Sequence, residues 1–142
     1  LASRDQQRAD DTADSLKDSV PSADVVGIVL TDEIELTRAL QHCDVLVAAG
    51  AAGIQLVPQN LWKSSEQLKV MVDLNAVPPL GIEGIDVMDV ATELDGKMVY
   101  GAIGVGGLKM KIHKAAIARL FESNDQILDV NEIYAIGESL GA

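Results

Sequence analysis

The sequence alternates short apolar runs with stretches of helical periodicity, and this alternation restricts the possible folds more than any other feature. The apolar runs are VVGIVL at 25–30, DVLVAA at 44–49 and KVMVDL at 69–74. Residues 5–20 and 32–42, before and between the runs, carry apolar side chains at helical spacing. Strands that alternate with helices form parallel βαβ units, and near-continuous apolar strands indicate a sheet covered on both faces. We therefore predict a doubly wound parallel α/β sheet.

The ends of the remaining helices and the last strand are predicted from residues that typically begin or end such elements. Thr31 is the predicted N-cap of the second helix, because acidic residues follow it in the first turn. The run MVYGAI at 98–103 predicts the last strand, and residues 104–107 are expected to open a long helix. Asp129 is the predicted N-cap of a final helix at 130–140.

The composition limits the class of protein. A chain of 142 residues with 48% hydrophobic content can bury one core of ordinary domain size. The net charge of −11 disfavours nucleic acid and anionic membranes as partners. The single Cys43 is predicted to be a small core residue and fits a reducing cytosol, so a cytoplasmic location is expected. Trp62, in a short helical segment predicted around Pro58, and Phe121 are predicted to be packing residues.

Metal chemistry and nucleophilic catalysis find no support in the sequence. His42 and His113 are the only histidines, and neither belongs to a cluster of Cys and His with the spacing of metal ligands. The G-x-S-x-G motif of a serine nucleophile is absent. We therefore expect no metal, and a structural or surface role for His113.

Three segments with small or rigid residues follow predicted strands. They are AAGAAG at 48–53, NAVPPLGIEG at 75–84 and GAIGVGGLK at 101–109. Glycine and alanine allow a flat ligand to approach the backbone, and prolines fix the shape of a loop. Each segment alone is more typical of a tight turn than of a binding site. Because ligands bind at the carboxyl ends of strands in open α/β sheets, the three together favour a site.

The first residues suggest which dinucleotide such a site would take. If residues 1–2 end a strand, Ser3 and Arg4 lie where a Rossmann domain contacts the adenosine ribose. An arginine there accommodates a 2′-phosphate, which favours NADP. Asp5 follows at once and leaves the acidic, NAD-binding alternative open, and a surface arginine without a function fits the sequence equally well.

The segment GVGGLK at 104–109 matches neither common nucleotide motif. Its sixth position is Lys109 rather than the glycine of G-x-G-x-x-G, and it contains no Gly-Lys-Ser or Gly-Lys-Thr. What remains is a predicted helix N-terminus with free backbone N–H groups and one lysine nearby. Such a site suits a carboxylate, a phosphate or an amide oxygen.

Longer blocks of the sequence resemble one family of enzymes. They are VDLNAVPPLGIEGIDVMD at 72–89, GAIGVGGLKMKIHKAAIARLFES at 101–123 and EIYAIGESL at 132–140. The blocks LASRD at 1–5 and CDVLVAAGAAGIQLVPQNLW at 43–62 occur in the same order. Through these blocks the chain is similar to the methylene-tetrahydromethanopterin dehydrogenases of methylotrophic bacteria.

The resemblance implies an oxidoreductase of one-carbon metabolism. Such an enzyme uses NADP, or NAD, and no metal, and it oxidises the methylene group of a tetrahydropterin carrier to the methenyl form. The carrier would be tetrahydromethanopterin or tetrahydrofolate. On this resemblance Ser3 and Arg4 would hold the 2′-phosphate, and Ala49, Gly50 and Ala51 would lie along the nicotinamide ribose.

The resemblance also assigns the two later segments to the reacting groups. Asn75 would hydrogen-bond the nicotinamide amide or its ribose. The backbone of Gly106, Gly107 and Leu108 would border the nicotinamide and the pterin. Lys109 is the predicted catalytic side chain, because it would orient a polar group of the pterin; an exposed lysine at a helix start is the alternative.

A complete member of the family would have a further N-terminal domain and a first Rossmann strand before these residues. We therefore expect residues 1–103 to be a partial NAD(P)-binding Rossmann domain. Residues 104–142 are expected to be C-terminal helices that pack on this domain and toward the absent one. The absent strand is central in the order 3-2-1-4-5-6, so a gap between the second and fourth strands is expected. The partner of this chain would be the rest of the same polypeptide, and the composition is compatible with a homo-oligomer.

Two functions of other classes stay open. One is a non-catalytic Rossmann module that senses NAD(P). The other is a receiver-like signalling domain in which Asp73 accepts a phosphoryl group. The second also requires an acidic pair after a first strand, which the sequence lacks, so it ranks last.

Overall fold

The computed structural model describes residues 1–141 of the chain. The strands are β1 (Ala2–Ser3), β2 (Ile28–Val29), β3 (Val45–Ala48), β4 (Val70–Asp73), β5 (Thr92–Leu94) and β6 (Lys97–Tyr100). The helices are α1 (Gln6–Ser19), α2 (Glu33–Leu40), α3 (Gln59–Lys63), α4 (Ala102–Leu120) and α5 (Val130–Ser139). The predicted strands and helices are present with different ends, and β5 was not predicted.

The N-terminal part is one parallel βαβ unit. Strands β1 and β2 pair in parallel, and α1 connects them. Ala9 and Ala13 are buried on the inner face of α1. The chain before β2 passes so close to this helix that a Cβ on Gly27 would lie 2.8 Å from the carbonyl carbon of Ala9. Small residues on both partners therefore set the short distance between helix and strand.

The second sheet has four strands in the order β3-β4-β6-β5. Strands β3, β4 and β6 run parallel, and β5 pairs antiparallel with β6 at the edge. Asp95 and Gly96 form the turn of this hairpin with φ values of 50° and 75°. Positive φ at two central residues is the geometry that Asp-Gly favours in a hairpin, so the sequence did contain a signal for β5.

The described strands form two sheets that no strand pairing joins, so the doubly wound arrangement stays a prediction. Strands β1 and β2 pair with each other, and neither pairs with a strand of the four-stranded sheet. Strand β3 pairs only with β4. The fold is thus mixed α/β with mainly parallel pairing, and the expected break in strand order is present between β1 and β3.

The core lies on one face of the four-stranded sheet. Helices α2 and α3 cover this face, and Trp62 is fully buried there with its Nε1–H donating to the Glu83 carbonyl at 2.9 Å. The buried apolar residues are Leu36, Leu40, Ala48, Val57, Trp62, Leu68, Met71, Ile82, Ile85 and Val99. Cys43 packs against this cluster, and its thiol donates to the Val45 carbonyl.

The opposite face of the sheet corrects the prediction that both faces are covered. Val45 and Val47 are 54% exposed, and Met98 on the same face is 39% exposed. Alternate residues of a strand point to opposite faces, so an apolar run shows only that both faces are apolar. Within residues 1–141, helices cover one of them.

The helix ends confirm some predictions and correct others. Asp129 caps α5 in a capping box with Glu132, as predicted. Asp32 rather than Thr31 caps α2, because its carboxylate accepts the Ile34 and Glu35 N–H groups. Phe121 is 86% exposed, so it does not pack in the described chain. None of the helices within residues 1–141 has the length and hydropathy needed to cross a membrane.

Candidate functional site

The three segments rich in small residues lie along one edge of the four-stranded sheet. Strands β3, β4 and β6 are parallel neighbours, so their carboxyl ends fall on the same side. Ala49 follows β3, Leu74 and Asn75 follow β4, and Gly101 follows β6. The prediction that the three segments share one edge is therefore confirmed by the strand pairing.

The segment after β3 is open to solvent. Ala49, Gly50 and Ala51 are all exposed. A Cβ on Gly50 would lie 2.6 Å from Cδ1 of Leu56, which is the flexible end of a side chain. Gly53 has a φ of 72°, a conformation that favours glycine. The residues of this segment are thus small and accessible, and the side chain close to Gly50 is flexible.

The segment after β4 is organised around a buried carboxylate. Asp73, the last residue of β4, has no exposed surface. Its Oδ1 accepts the Asn75 N–H at 2.9 Å, and its Oδ2 accepts the Ile82 N–H at 2.6 Å. Asp73 therefore ties together the two ends of the loop that contains the cis Pro78–Pro79 bond.

Asn75 belongs to this loop, and its side-chain amide has a donor without a partner in the described chain. The residue is 6% exposed, and its buried Nδ2 has no hydrogen-bond partner within residues 1–141. A Cβ on Gly81 would lie 3.0 Å from Nδ2 and 3.0 Å from Oδ1 of Asp73. Neither Asp73 nor Gly81 was predicted to shape the site, although an Asp that ends an apolar strand is a recognisable signal.

The same geometry removes the receiver-like alternative. A phospho-acceptor must be accessible to the phosphoryl donor. The Asp73 carboxylate is fully buried and already accepts two backbone N–H groups.

The start of α4 corrects the prediction of a helix end with free N–H groups. The helix begins at Ala102, not within residues 104–107. The Ile103 and Gly104 N–H groups donate to the Val87 carbonyl at 2.8 and 3.1 Å, and the Gly101 N–H donates to the Asp89 carbonyl at 2.9 Å. These contacts use two of the first three N–H groups of the helix, which the anion-site hypothesis needs free. Tight packing explains two of the glycines: a Cβ on Gly101 would lie 2.0 Å from the Asp86 oxygen, and one on Gly104 would lie 1.9 Å from the Asp89 oxygen.

Gly106 and Gly107 lie further along α4, and the space around them differs from the space around Gly101 and Gly104. A Cβ on either residue would meet no atom within 4 Å in the described chain. Both line an open depression of about 420 Å³. Its lining residues are Ala102, Ile103, Gly106, Gly107, Lys109 and Met110. Ile103 and Met110 are 52% and 49% exposed, so the floor is apolar with one lysine at its rim.

Leu108 and Lys109 are both exposed on α4. Leu108 does not line the depression, whereas Lys109 does. Lys109 forms no ion pair within residues 1–141. The structure thus places Gly106, Gly107 and Lys109 together, and leaves Leu108 beside them on the helix.

Ser3 is the last residue of β1 and Arg4 follows it; β1 belongs to the two-stranded sheet, so no strand pairing connects them to this edge. The Ser3 hydroxyl oxygen accepts the Asp5 N–H, and the Asp5 carboxylate accepts the Arg8 N–H as the N-cap of α1. Arg4 is exposed and has no ion pair within residues 1–141. Asp5 therefore has a structural role, while the Arg4 guanidinium is accessible.

Cys43 lies before the amino end of β3 and therefore away from this edge. Burial raises the pKa of its thiol above the ordinary value of 9.0, which keeps it protonated at neutral pH. Among residues 1–141, no group of three or more His, Cys, Asp and Glu side chains is arranged to hold a metal ion.

The chain is similar to two curated proteins of Methylorubrum extorquens, and no protein-family model matches it. The bifunctional protein MdtA is 37% identical over 140 residues, which are 99% of this chain and 48% of that protein. An NAD(P)-dependent methylenetetrahydromethanopterin dehydrogenase is 36% identical over 101 residues, which are 69% of this chain and 34% of that enzyme. The matched residues thus span about half of the first relative and about a third of the second. These similarities confirm the resemblance to the methylene-tetrahydromethanopterin dehydrogenases of methylotrophic bacteria.

Proposed function

We propose that this chain is part of an oxidoreductase that oxidises a methylene-tetrahydropterin with NADP. NADP, when bound, would accept a hydride from the methylene carbon of methylene-tetrahydromethanopterin, and the carrier would become the methenyl form. The nitrogen lone pairs of the carrier stabilise this cationic form, so the step needs no protein base. The protein then has to orient two flat rings and exclude water between them. Tetrahydrofolate is the alternative carrier, and NAD the alternative cofactor.

The observation that carries this proposal is the pair Gly106–Gly107. A glycine inside a helix lowers stability by about 1 kcal/mol relative to alanine. Gly101 and Gly104 are explained by neighbouring backbone, but Gly106 and Gly107 have no neighbour that a Cβ would touch. Two unexplained glycines beside an apolar depression favour close contact with a flat ring that lies outside this chain.

The other site residues take roles that fit their positions. We assign Ala49, Gly50 and Ala51 to the nicotinamide ribose, because they are exposed at the end of β3. Asn75 would donate to the nicotinamide carboxamide. The accessible Arg4, with Ser3, would hold the 2′-phosphate of NADP.

The depression on α4 would take the reacting rings. The backbone of Gly106, Gly107 and Leu108 would border nicotinamide and pterin. Lys109, at the rim of the depression, would orient a polar group of the pterin. In this arrangement residues 1–103 form the nucleotide-binding part and residues 104–142 the helices that face the substrate.

The test of this proposal is NADP reduction with methylene-tetrahydromethanopterin, measured on the full-length protein that carries this chain. Gly107→Ala should lower kcat/KM at least about tenfold, because a methyl group would separate ring and helix. The thermal midpoint should rise or stay unchanged, since the added Cβ meets no atom in the chain. Unchanged kcat/KM in Gly107→Ala would contradict the assignment of this face.

Lys109→Met and Lys114→Met form a matched pair on the same helix, because both lysines are exposed. We expect a loss of about tenfold or more in kcat/KM for Lys109→Met, the size of one charge-assisted hydrogen bond, and no loss for Lys114→Met. Equal effects of the two substitutions would rule out a specific role for Lys109.

Arg4→Glu tests the cofactor. It should reverse the preference for NADP over NAD, because a carboxylate repels the 2′-phosphate and accepts from ribose hydroxyls. A rate with NADP that does not change would contradict the assignment of Arg4. A protein that binds NADP but reduces it with no methylene carrier would instead support the sensor alternative.

A further inference from the structure

The most unusual polar group in the described chain is the carboxamide of Asn75. Buried side-chain donors are nearly always paired, because an unpaired one loses its hydrogen bonds to water without replacement. The Nδ2 of Asn75 is buried and has no partner within residues 1–141. It lies at the carboxyl edge of the sheet, two residues beyond the end of β4.

The surroundings of Asn75 fix its position firmly. Asp73 accepts its backbone N–H at 2.9 Å and accepts the Ile82 N–H at 2.6 Å. The Gly81 carbonyl in turn accepts the Leu56 and Val57 N–H groups at 2.8 and 3.0 Å. Both ends of the loop at 74–81 are therefore attached to the core, while residues 76–79 between them are exposed.

Gly81 provides the space next to the carboxamide. A Cβ there would lie 3.0 Å from Nδ2 of Asn75, 3.0 Å from Oδ1 of Asp73 and 3.1 Å from Cβ of Ala48. The φ of Gly81 is outside the range that favours glycine, so the tight space, not the backbone conformation, disfavours a side chain at this position. A side chain at 81 would push the carboxamide away from the end of β3.

We propose that Asp73 is a positioning residue for the cofactor site: its carboxylate, together with the bare Gly81, holds Asn75 so that Nδ2 remains available for the carboxamide oxygen of a nicotinamide ring. This inference rests on the proposed function and adds to it the two residues that aim the donor. Because Nδ2 is buried in the free protein, the contact requires the atoms that cover it to move, while Asp73 holds the Asn75 N–H. The ligand then supplies the hydrogen bond that the free protein lacks.

The experiment measures dissociation constants of the full-length protein for two probes. One probe is NADP, and the other is 2′-phospho-adenosine diphosphate ribose, which lacks the nicotinamide. Asn75→Leu should weaken NADP binding about tenfold, the value of one hydrogen bond, and leave the second probe unchanged. The thermal midpoint of the free protein should not fall, because the substitution removes an unpaired buried donor.

Asp73→Asn separates a positioning role from a general structural one. It should cause the same selective loss of NADP affinity, and it should have no further effect on that affinity in the Asn75→Leu background. If the Asp73→Asn variant does not fold, Gly81→Ala replaces it in the experiment. The added Cβ would lie 3.0 Å from Nδ2 of Asn75, so the carboxamide must shift. The same selective loss of NADP affinity is expected.

Several outcomes would overturn the inference. Equal weakening of both probes would assign the cluster to general structure, and unchanged NADP affinity in Asn75→Leu would leave the donor without a ligand. A lower thermal midpoint with unchanged affinity would indicate that a bound water pairs with Nδ2. A wild-type protein that binds neither probe would contradict the proposed function itself, whereas selective loss without hydride transfer would support this inference and the sensor alternative.

Discussion

At the start of α4, two pairs of glycines from one continuous motif have opposite surroundings. Gly101 and Gly104 press against the backbone of residues 86–89, where a Cβ would lie 2.0 or 1.9 Å from a carbonyl oxygen. Gly106 and Gly107 have no atom within 4 Å of the position that a Cβ would take. The first pair is required by the fold of this chain, and the second pair lowers helix stability without any benefit that the chain itself provides.

Within the seven residues from 101 to 107, the fold of this chain therefore explains one pair of glycines and not the other. The packed pair lets the carbonyls of Val87 and Asp89 satisfy the first N–H groups of the helix. The open pair leaves a bare surface between the exposed side chains of Ile103 and Met110. The glycines of one motif thus occur for different reasons, and substitutions can test the packed pair and the open pair separately.

The largest effect is expected for Gly104→Ala. The new methyl group would overlap the Asp89 carbonyl, which is backbone and cannot move aside cheaply. We expect the free energy of unfolding to fall by about 3 kcal/mol or more, as for severe overpacking. Urea unfolding followed by circular dichroism measures this. A loss as small as that of an ordinary surface substitution would mean that residues 86–89 are not held against the helix.

Gly96→Ala isolates the effect of conformation from that of space. No atom lies within 4 Å of its Cβ position, as for Gly106 and Gly107, but its φ is 75°. An L-residue in this region costs about 1 kcal/mol, so we expect a loss of that size in the same unfolding experiment. If Gly96→Ala were as harmless as Gly107→Ala, positive φ would carry no cost in this hairpin.

Gly106→Ala and Gly107→Ala should act in the opposite direction. Alanine restricts the unfolded chain and favours the helix, so each should raise the free energy of unfolding by about 0.5 to 1 kcal/mol. Thermal and urea unfolding of the two variants provide the measurement. Destabilisation by either one would show that part of the protein packs on this face, and would weaken its assignment to a ligand.

The smallest expected effect is a dependence of helix capping on pH, which should differ between the starts of α4 and α5. Backbone carbonyls cap α4, whereas a titrating side chain, Asp129, caps α5. Hydrogen bonds with the Glu132 side chain and then the Asn131 N–H lower the pKa of Asp129 below its ordinary value of 3.8. Because the folded pKa is the lower one, the stabilisation is present above pH 3.8 and is lost as pH falls through the folded value.

Chemical shifts of the Asn131 and Glu132 amides should therefore titrate in this acid range, while those of Ile103 and Gly104 should not. Asp129→Asn is the control, because asparagine caps a helix without titrating. A titration of the α4 amides in the same range would contradict the backbone capping described here.

Much of the fold was predictable because it depends on local patterns. Apolar runs located β2, β3, β4 and β6, and the edge that their carboxyl ends share follows from parallel pairing alone. The hairpin of β5 was missed although Asp95–Gly96 signals it, because the segment is too short and polar to stand out. The exposed face with Val45 and Val47 was unpredictable from the strand pattern, since a pattern cannot tell how many helices are available to cover a sheet.

The sequence by itself determined which residues form strands and helices, where the small residues fall relative to strand ends, and which enzymes the chain resembles. Only the tertiary structure decided which glycines are packed and which are bare, that the Asp73 carboxylate accepts the Asn75 N–H, and that carbonyls of residues 86–89 lie against the start of α4. The physical reason is the range of the interactions. Helix and strand preferences are set by neighbours along the chain, whereas space around a Cβ and partners for an N–H group are set by segments that are distant in sequence.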